Sequence, residues 1–304
     1  MVNPLGRCKF TLGSTRGSDS VEFSWSQVQD WSIRPTLLTV AVSFAVLAAL
    51  LWPLERLFPA RRRQPIRRAG FAPDVFFWFF TPLVTKAITY AVVTFALGVL
   101  LPLTGRPADL SVSDGCGPVG RQPLWLQFVE VLAMADFIFY WTHRWFHTTR
   151  LWPFHAVHHS SRDLDWLSAM RFHPVNDLLT RLCQAIPLIL LGFSPVAVVG
   201  MVPVVVLFII VTHANVPWDW GPLRRVIVSP RYHQWHHSSE DAAIDRNFAG
   251  VLVVWDWLFG TLHLPGDRMP SEFGVKGGEA PGGALSRLAY PFWSPRKADS
   301  LSGD

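Results

Sequence analysis

The sequence has few charged residues and few cysteines. Only 16% of its 304 residues are charged while 50% are apolar, against about 25% charged residues in an ordinary soluble domain. This composition excludes a disordered chain and a highly charged solvated module, and it indicates a membrane protein. The three cysteines, Cys8, Cys116 and Cys183, are odd in number and form no C-x-x-C pair. The sequence therefore offers neither a disulfide framework nor a thiolate zinc site.

An H-E-x-x-H zinc-hydrolase motif is also missing, and the net charge is a modest +5. A small basic excess suits an anionic lipid surface as well as it suits nucleic acid, so charge alone does not choose a partner. The apolar composition decides for a lipid and against nucleic acid.

Several apolar stretches have the length of a membrane span. The stretch from Pro35 to Leu54 carries no charge over 20 residues, enough to cross a hydrocarbon core about 30 Å thick. The next, Val75–Thr104, is apolar except for Lys86, and it is expected to be one tilted helix or two pieces broken near Pro82.

A third stretch, Leu124–Trp141, contains Glu130 and Asp136, so one of its faces is not expected to contact lipid. The fourth runs from residue 182 to 218 without a charge and is interrupted by prolines. A membrane hairpin at about 182–213, turning at residues 192–195, fits this pattern.

These stretches predict an all-α protein, with integral membrane helices under a cytosolic helical cap. We expect a polar segment over 1–34, transmembrane helices over 35–121, a catalytic region over 122–263 and a tail over 264–304. The loop at 55–68 holds six arginines, which places it in the cytoplasm by the positive-inside rule. The carboxyl terminus has no KDEL-like or dilysine signal, which favours a bacterial inner membrane over the endoplasmic reticulum.

Ten of the eleven histidines lie between residues 143 and 237, and eight of these form three groups. The groups are an H-x3-H (His143, His147), an H-x2-H-H (His155, His158, His159) and a second H-x2-H-H (His233, His236, His237). Residues at i, i+3 and i+4 share one side of a helix. Three such groups would bring together eight imidazoles, too many for one metal ion and suitable for two.

Three more polar residues are candidates for the same site. His213 ends the long apolar hairpin, where a buried imidazole needs a partner. His173 is either a further ligand or a hydrogen-bonded structural histidine. Asp136 shares a stripe about 60° wide with Tyr140, His143 and His147, and we expect it to orient the ligating imidazoles.

The type of ligand limits which metal ions the site could bind. Imidazole suits zinc, copper, iron and nickel, whereas a structural zinc site closes with four ligands. A dinuclear site with eight or more neutral imidazoles is suited to redox chemistry with O2 beside an apolar substrate.

The motifs around these histidines resemble the fatty acid hydroxylase and sterol desaturase superfamily of membrane-bound histidine-box enzymes. The resemblance covers residues 122–263, and it rests on the following segments: Asp136–Arg144 (DFIFYWTHR), Leu151–Ser161 (LWPFHAVHHSS), Asp165–Pro174 (DWLSAMRFHP), His213–Asn215, His233–His237, Asp245–Phe248 and Trp255–Thr261. These segments are most similar to those of the C5-sterol-desaturase-like branch of the superfamily.

The resemblance implies two iron ions, with O2 as co-substrate, and hydroxylation or desaturation of a C–H bond in a sterol or another lipid. It implies that the eight box histidines are ligands, together with His213. It also implies a separate reductase and electron carrier of the cytochrome b5 or ferredoxin type, because no cytochrome b5-like segment occurs in the chain.

Two other functions stay open at this stage. One is a hydroxylase of sphingolipid, fatty-acid or ether-lipid chains. The other, from a different class, is a membrane metal carrier or sensor, which would be expected to spread its ligands through the spans.

Overall fold

The computed structural model describes residues 36–103, 115–276 and 283–292. These residues form helices and connecting turns, and their only β-pairing is two isolated bridges, Ile227 with Leu252 and Ser238 with Phe273. The predicted all-α class is confirmed. The polar segment 1–34 lies outside the described residues, as do 104–114 of the loop after the second apolar stretch.

Four helical spans of the described chain are long and apolar enough to cross a membrane. Helix α1 is Leu37–Leu57, and α5 is Leu124–Thr148. Between them, α2 (Phe71–Phe80) and α3 (Lys86–Leu103) run on through a π-helical turn. That turn, Thr81–Thr85, contains Pro82, so the irregularity lies where the sequence indicated a break, since proline removes a backbone donor and interrupts the regular ladder.

The predicted hairpin is a pair of helices, α7 (Pro174–Leu191) and α8 (Pro195–His213). The turn depends on Gly192, which has a φ of 102° and whose added Cβ would lie 2.2 Å from the Cys116 carbonyl oxygen. Helix α7 begins at Pro174, eight residues before the uncharged stretch that starts at 182. Hydropathy missed its first turns because they carry charged side chains. Its residue Asp177 has a partner on α3, described below.

Short helices cover one end of this bundle. They are α6 (Trp152–His159), α9 (Pro230–His236), α10 (Val254–Leu258) and α11 (Ala284–Ala289). The four-residue α4 (Gly117–Gly120) lies at the other end, before α5 and beside the Gly192 turn. A 3₁₀ turn, Trp166–Met170, joins this cap to the bundle. The buried Trp166 ring lies 5.1 Å from that of Trp78 on α2, in an edge-to-face arrangement, which aromatic pairs favour.

Candidate metal centre

Nine buried histidines form two groups at the cap end of α5 and α8. In the five-histidine cluster, one ring nitrogen from each residue lies within 4.8 Å of all the others; its members are His143, His147, His155, His159 and His236. The four-histidine cluster satisfies the same condition; its members are His158, His213, His233 and His237. These are the nine residues that the sequence analysis singled out as candidate ligands.

Helix geometry explains how each H-x2-H-H group serves both clusters. On α6, His155 and His159 are four residues apart and point into the five-histidine cluster, while His158 turns toward the other. Around α9 the division is reversed, because His233 and His237 enter the four-histidine cluster and His236 the five-histidine one. Since about 100° separates successive residues of a helix, i and i+4 lie nearly in line and i+3 projects to the side.

Backbone carbonyls fix the tautomer of several rings. The Nδ1 atom of His143 donates to the Phe248 carbonyl at 2.7 Å, and that of His236 donates to the Arg246 carbonyl at 2.9 Å. A carbonyl can only accept, so in these neutral rings the hydrogen is on Nδ1 and Nε2 carries a lone pair.

The same pattern holds in the four-histidine cluster. Nδ1 of His213 donates to the Ile209 carbonyl at 2.7 Å, and Nδ1 of His158 lies 3.3 Å from the Arg171 carbonyl. The His158 ring also stacks on Phe172, with ring centroids 4.3 Å apart. His155 differs, because its Nδ1 donates to a side chain, the Oδ1 atom of Asn176, at 2.7 Å.

The lone pairs of different rings approach each other closely. Nε2 of His143 lies 3.0 Å from Nε2 of His155, and Nε2 of His213 lies 3.2 Å from Nε2 of His158. In each pair both rings have their hydrogen on Nδ1, so neither Nε2 can donate to the other. Two facing lone pairs are stable at this distance only with a cation between them.

Protonation does not supply that cation near neutral pH. Burial and the neighbouring His236 lower the pKa of His155 to about 3, and burial lowers the pKa of His236 to about 4. Two ligands about 2.1 Å from one ion at right angles lie about 3.0 Å apart. The donor set and its spacing therefore fit one metal ion in each cluster, and all-imidazole sets suit iron, zinc, copper and nickel.

Two carboxylates hold the loop that supplies these carbonyls. Asp256 accepts hydrogen bonds from the backbone N–H groups of Phe248 and Ala249, both at 2.8 Å, and from the hydroxyls of Thr261 and Tyr232. It thereby fixes Phe248, whose carbonyl binds His143. The sequence contained Asp256 within a family-like motif, but nothing in its spacing indicated this role.

Asp136 lies next to the same loop. Its oxygens accept from the N–H groups of Gly250, Val251 and Leu252 at 3.1, 2.8 and 2.7 Å, and from the Trp255 indole at 3.1 Å. These bonds go to the loop instead of to an imidazole. The carboxylate that lies beside a cluster histidine is Asp245, whose Oδ1 is 3.3 Å from Nδ1 of His147.

His173 lies outside both clusters. Its Nδ1 accepts from the Val175 N–H at 3.1 Å, which caps α7, and its Nε2 donates to the Leu288 carbonyl at 3.0 Å. Both ring nitrogens are thus occupied by backbone groups, the arrangement expected of the structural alternative.

The fold and the site define a class: an all-α protein with membrane-length helices and two buried histidine clusters suited to metal ions. Residues 128–261 match the fatty acid hydroxylase family. The ornithine lipid hydroxylase OlsE of Rhizobium tropici is 40% identical over 262 residues, covering 84% of this chain and 76% of that protein. The chain belongs to the fatty acid hydroxylase superfamily.

Alkylglycerol monooxygenases are similar over a shorter region. The human enzyme is 34% identical over 137 residues, which cover 44% of this chain and 30% of that protein. The zebrafish (Danio rerio) enzyme is 33% identical over 146 residues, covering 48% of this chain and 31% of that protein. No solved structure matches the chain.

These relatives settle two expectations. The resemblance to the superfamily is confirmed, and the protein is an oxidoreductase of the lipid hydroxylase family. The comparisons favour the alternative of a lipid hydroxylase over the sterol interpretation, because the relatives described above are an ornithine lipid hydroxylase and alkylglycerol monooxygenases.

Proposed function

We propose that the protein is a membrane-bound di-iron monooxygenase that hydroxylates a C–H bond of a polar bacterial lipid, of the ornithine-lipid or ether-lipid kind. The observation that carries the proposal is the pair of all-histidine clusters with converging lone pairs. Bound iron would supply the reduction of O2, in the overall reaction R–H + O2 + 2 e⁻ + 2 H⁺ → R–OH + H2O. The five-histidine and four-histidine clusters would hold one iron ion each.

The chain itself supplies position and exclusion of water. Hydrogen bonds on Nδ1 hold the imidazoles in the tautomer that presents Nε2. All nine cluster histidines are at most 8% exposed, so solvent has little access to the reacting centre. The two electrons would come from a separate carrier protein of the cytochrome b5 or ferredoxin type with its reductase.

The arginine-rich loop supports a cytoplasmic location for the clusters. Arg56 is exposed in the last turn of α1, and Arg62, Arg63 and Arg67 are exposed on the segment that joins α1 to α2. The same segment contacts the end of α8 that carries His213, since the Arg61 N–H donates to Asn215 Oδ1 at 2.9 Å. By the positive-inside rule this end of the bundle faces the cytoplasm, where reduced carriers are available.

The test is a lipid mass comparison under 18O2 between cells that express the wild type and cells that express His236→Ala. We expect a lipid that gains one 18O atom in the wild type only. Loss of two hydrogens without oxygen would identify a desaturase. No difference, with both proteins present in the membrane and reduced carrier supplied, would favour the metal carrier or sensor.

A further inference from the structure

A cleft opens between α5, α7 and α8 below the histidine clusters. Its apolar walls are the half-buried side chains of Leu132, Ala135, Phe139, Val205 and Ile209. The Phe139 ring lies 4.9 Å from that of His143, and the Ile209 carbonyl accepts from His213. The cleft therefore lies one helical turn from His143 on α5 and one helical turn from His213 on α8.

One side of the cleft is polar. Arg181 and Gln184 of α7 line it, and Nη1 of Arg181 donates to Oε1 of Gln184 at 3.2 Å. The Gln184 amide in turn donates to the Ala135 carbonyl at 3.0 Å. Gln184 thus anchors the guanidinium to α5, on the wall of the cleft.

Arg181 shares its one ion-pair partner among the described residues, Asp177, with Lys86. Asp177 accepts from Nζ of Lys86 at 2.8 Å and from the Thr89 hydroxyl at 3.2 Å, so Lys86 already neutralises this carboxylate. Nε of Arg181 lies 3.6 Å from Asp177 Oδ1, too far for a hydrogen bond. Nε is buried and makes no hydrogen bond within the described ranges.

Asp136 is the carboxylate among the residues that line the cleft, and it does not compensate Arg181. Its oxygens already accept four hydrogen bonds from the 250–252 loop and Trp255. A charged side chain among apolar helices is unfavourable, so where one occurs it is paired or it marks a functional site. A guanidinium with free donors matches the geometry of a carboxylate or a phosphate.

We propose that Arg181 binds an anionic group, a carboxylate or a phosphate, of the lipid substrate, whose apolar part lies along Leu132 and Val205. This inference rests on the proposed function and narrows its substrate class. Because Phe139 and Ile209 line the cleft one helical turn before His143 and His213, a lipid bound there would hold its anion at Arg181 and direct its apolar part toward the clusters.

Binding to the iron-free protein in detergent tests this site. The probes are an ornithine lipid, its carboxyl methyl ester and a phosphatidic acid with matched acyl chains, titrated by native mass spectrometry. We expect the wild type to bind the free carboxylate at least about tenfold more tightly than the ester, a difference of about 1.4 kcal/mol. Tight binding of phosphatidic acid instead would assign the site to a phosphate lipid.

Three variants separate the guanidinium from general effects of charge. Arg181→Gln should bind the acid and the ester equally, and Arg181→Lys should keep part of the preference. Arg225→Gln removes an exposed arginine outside the cleft and should leave the preference unchanged. Thermal unfolding checks that each variant folds; Lys86 still neutralises Asp177 in all of them.

The inference and the proposed function fail in different ways. Equal wild-type binding of all three probes, or an Arg181→Gln protein that keeps the preference, would overturn the anion site even if 18O enters a lipid. An Arg181-dependent preference without any 18O incorporation would leave the site standing and overturn the oxygenase.

Discussion

The two histidine clusters are supported by different kinds of contact. The five-histidine cluster depends on a loop, in which Asp256 and Asp136 accept backbone N–H groups between Phe248 and Leu252. The four-histidine cluster depends on Arg171, whose carbonyl faces His158 and whose side chain enters a network of buried ion pairs. Neutral backbone N–H groups therefore hold the loop beside the five-histidine cluster, whereas paired charges hold the residue beside the four-histidine cluster.

The ion-pair network joins the first third of the chain to the cap. Asp74 accepts from Nε of Arg171 at 2.5 Å and from Nη2 of Arg68 at 2.6 Å, and Arg68 also pairs with Asp165. The side chains of Asp74, Arg68 and Arg171 are 0% exposed. Loss of one partner in this network leaves a buried charge uncompensated, whereas loss of one loop hydrogen bond leaves a neutral group without its partner. Substitutions in the ion-pair network should therefore lower the free energy of unfolding more than substitutions in the loop.

The largest expected effect is that of Asp74→Ala. Two buried guanidiniums lose their shared acceptor, and breaking such a pair costs about 3–5 kcal/mol. We expect a large drop in melting temperature and in the yield of folded protein. As a matched control, Asp219→Ala removes a carboxylate that is 23% exposed and pairs with Arg231, and it should cost less than about 1 kcal/mol. Equal melting temperatures for the two variants would show that the ion network does not support the cap.

The next test separates the clusters through two adjacent residues. His236→Ala removes a member of the five-histidine cluster and His237→Ala a member of the four-histidine cluster. Each variant should lose hydroxylation to the detection limit and keep the metal ion of the other cluster. Metal analysis of the purified variants measures this. Loss of both ions from either variant would mean that the clusters form one cooperative unit.

Much of this site could be predicted from the sequence because helical spacing is a local property. Two H-x2-H-H groups place their rings by the 3.6-residue period, whichever fold surrounds them. The orienting groups could not be predicted in the same way, because a carbonyl such as that of Phe248 is chosen by tertiary contact. Asp136 shows the limit of this reasoning. Its stripe on α5 is visible in the sequence, but the backbone N–H groups that donate to its carboxylate lie more than 110 residues away in the chain.

The extent of α7 shows a related limit for the fold. Lys86 and Asp177 each interrupt or border an apolar stretch, and hydropathy treats each charge as unfavourable in a span. In the structure the two side chains pair at 2.8 Å, so each charge offsets the unfavourable free energy of burying the other. Sequence reasoning that scores one segment at a time cannot detect this pairing.

A smaller effect is expected from the loop carboxylates. Asp256→Asn should weaken metal retention by the five-histidine cluster about 10- to 100-fold, because an amide cannot accept as many N–H groups and Phe248 then shifts against His143. Asp136→Asn should have less effect, since Asp136 binds 250–252 and not Phe248 itself. Chelator titration of both variants measures the difference, and an order reversed between them would contradict this account of the loop.

The smallest effect is expected at His173. His173→Asn keeps a side chain that caps α7, because asparagine is a favoured cap residue, while His173→Ala should cost about 1 kcal/mol in stability. Neither variant should lose metal. Loss of an ion from His173→Asn with the fold intact would instead identify His173 as a ligand.

The measurement that tests the central claim most directly is the number of metal ions per chain in protein purified without oxygen from cells grown in iron-replete medium. Two iron ions per chain are predicted, one for each cluster. A single ion per chain, or two zinc ions in place of iron, would contradict the di-iron account.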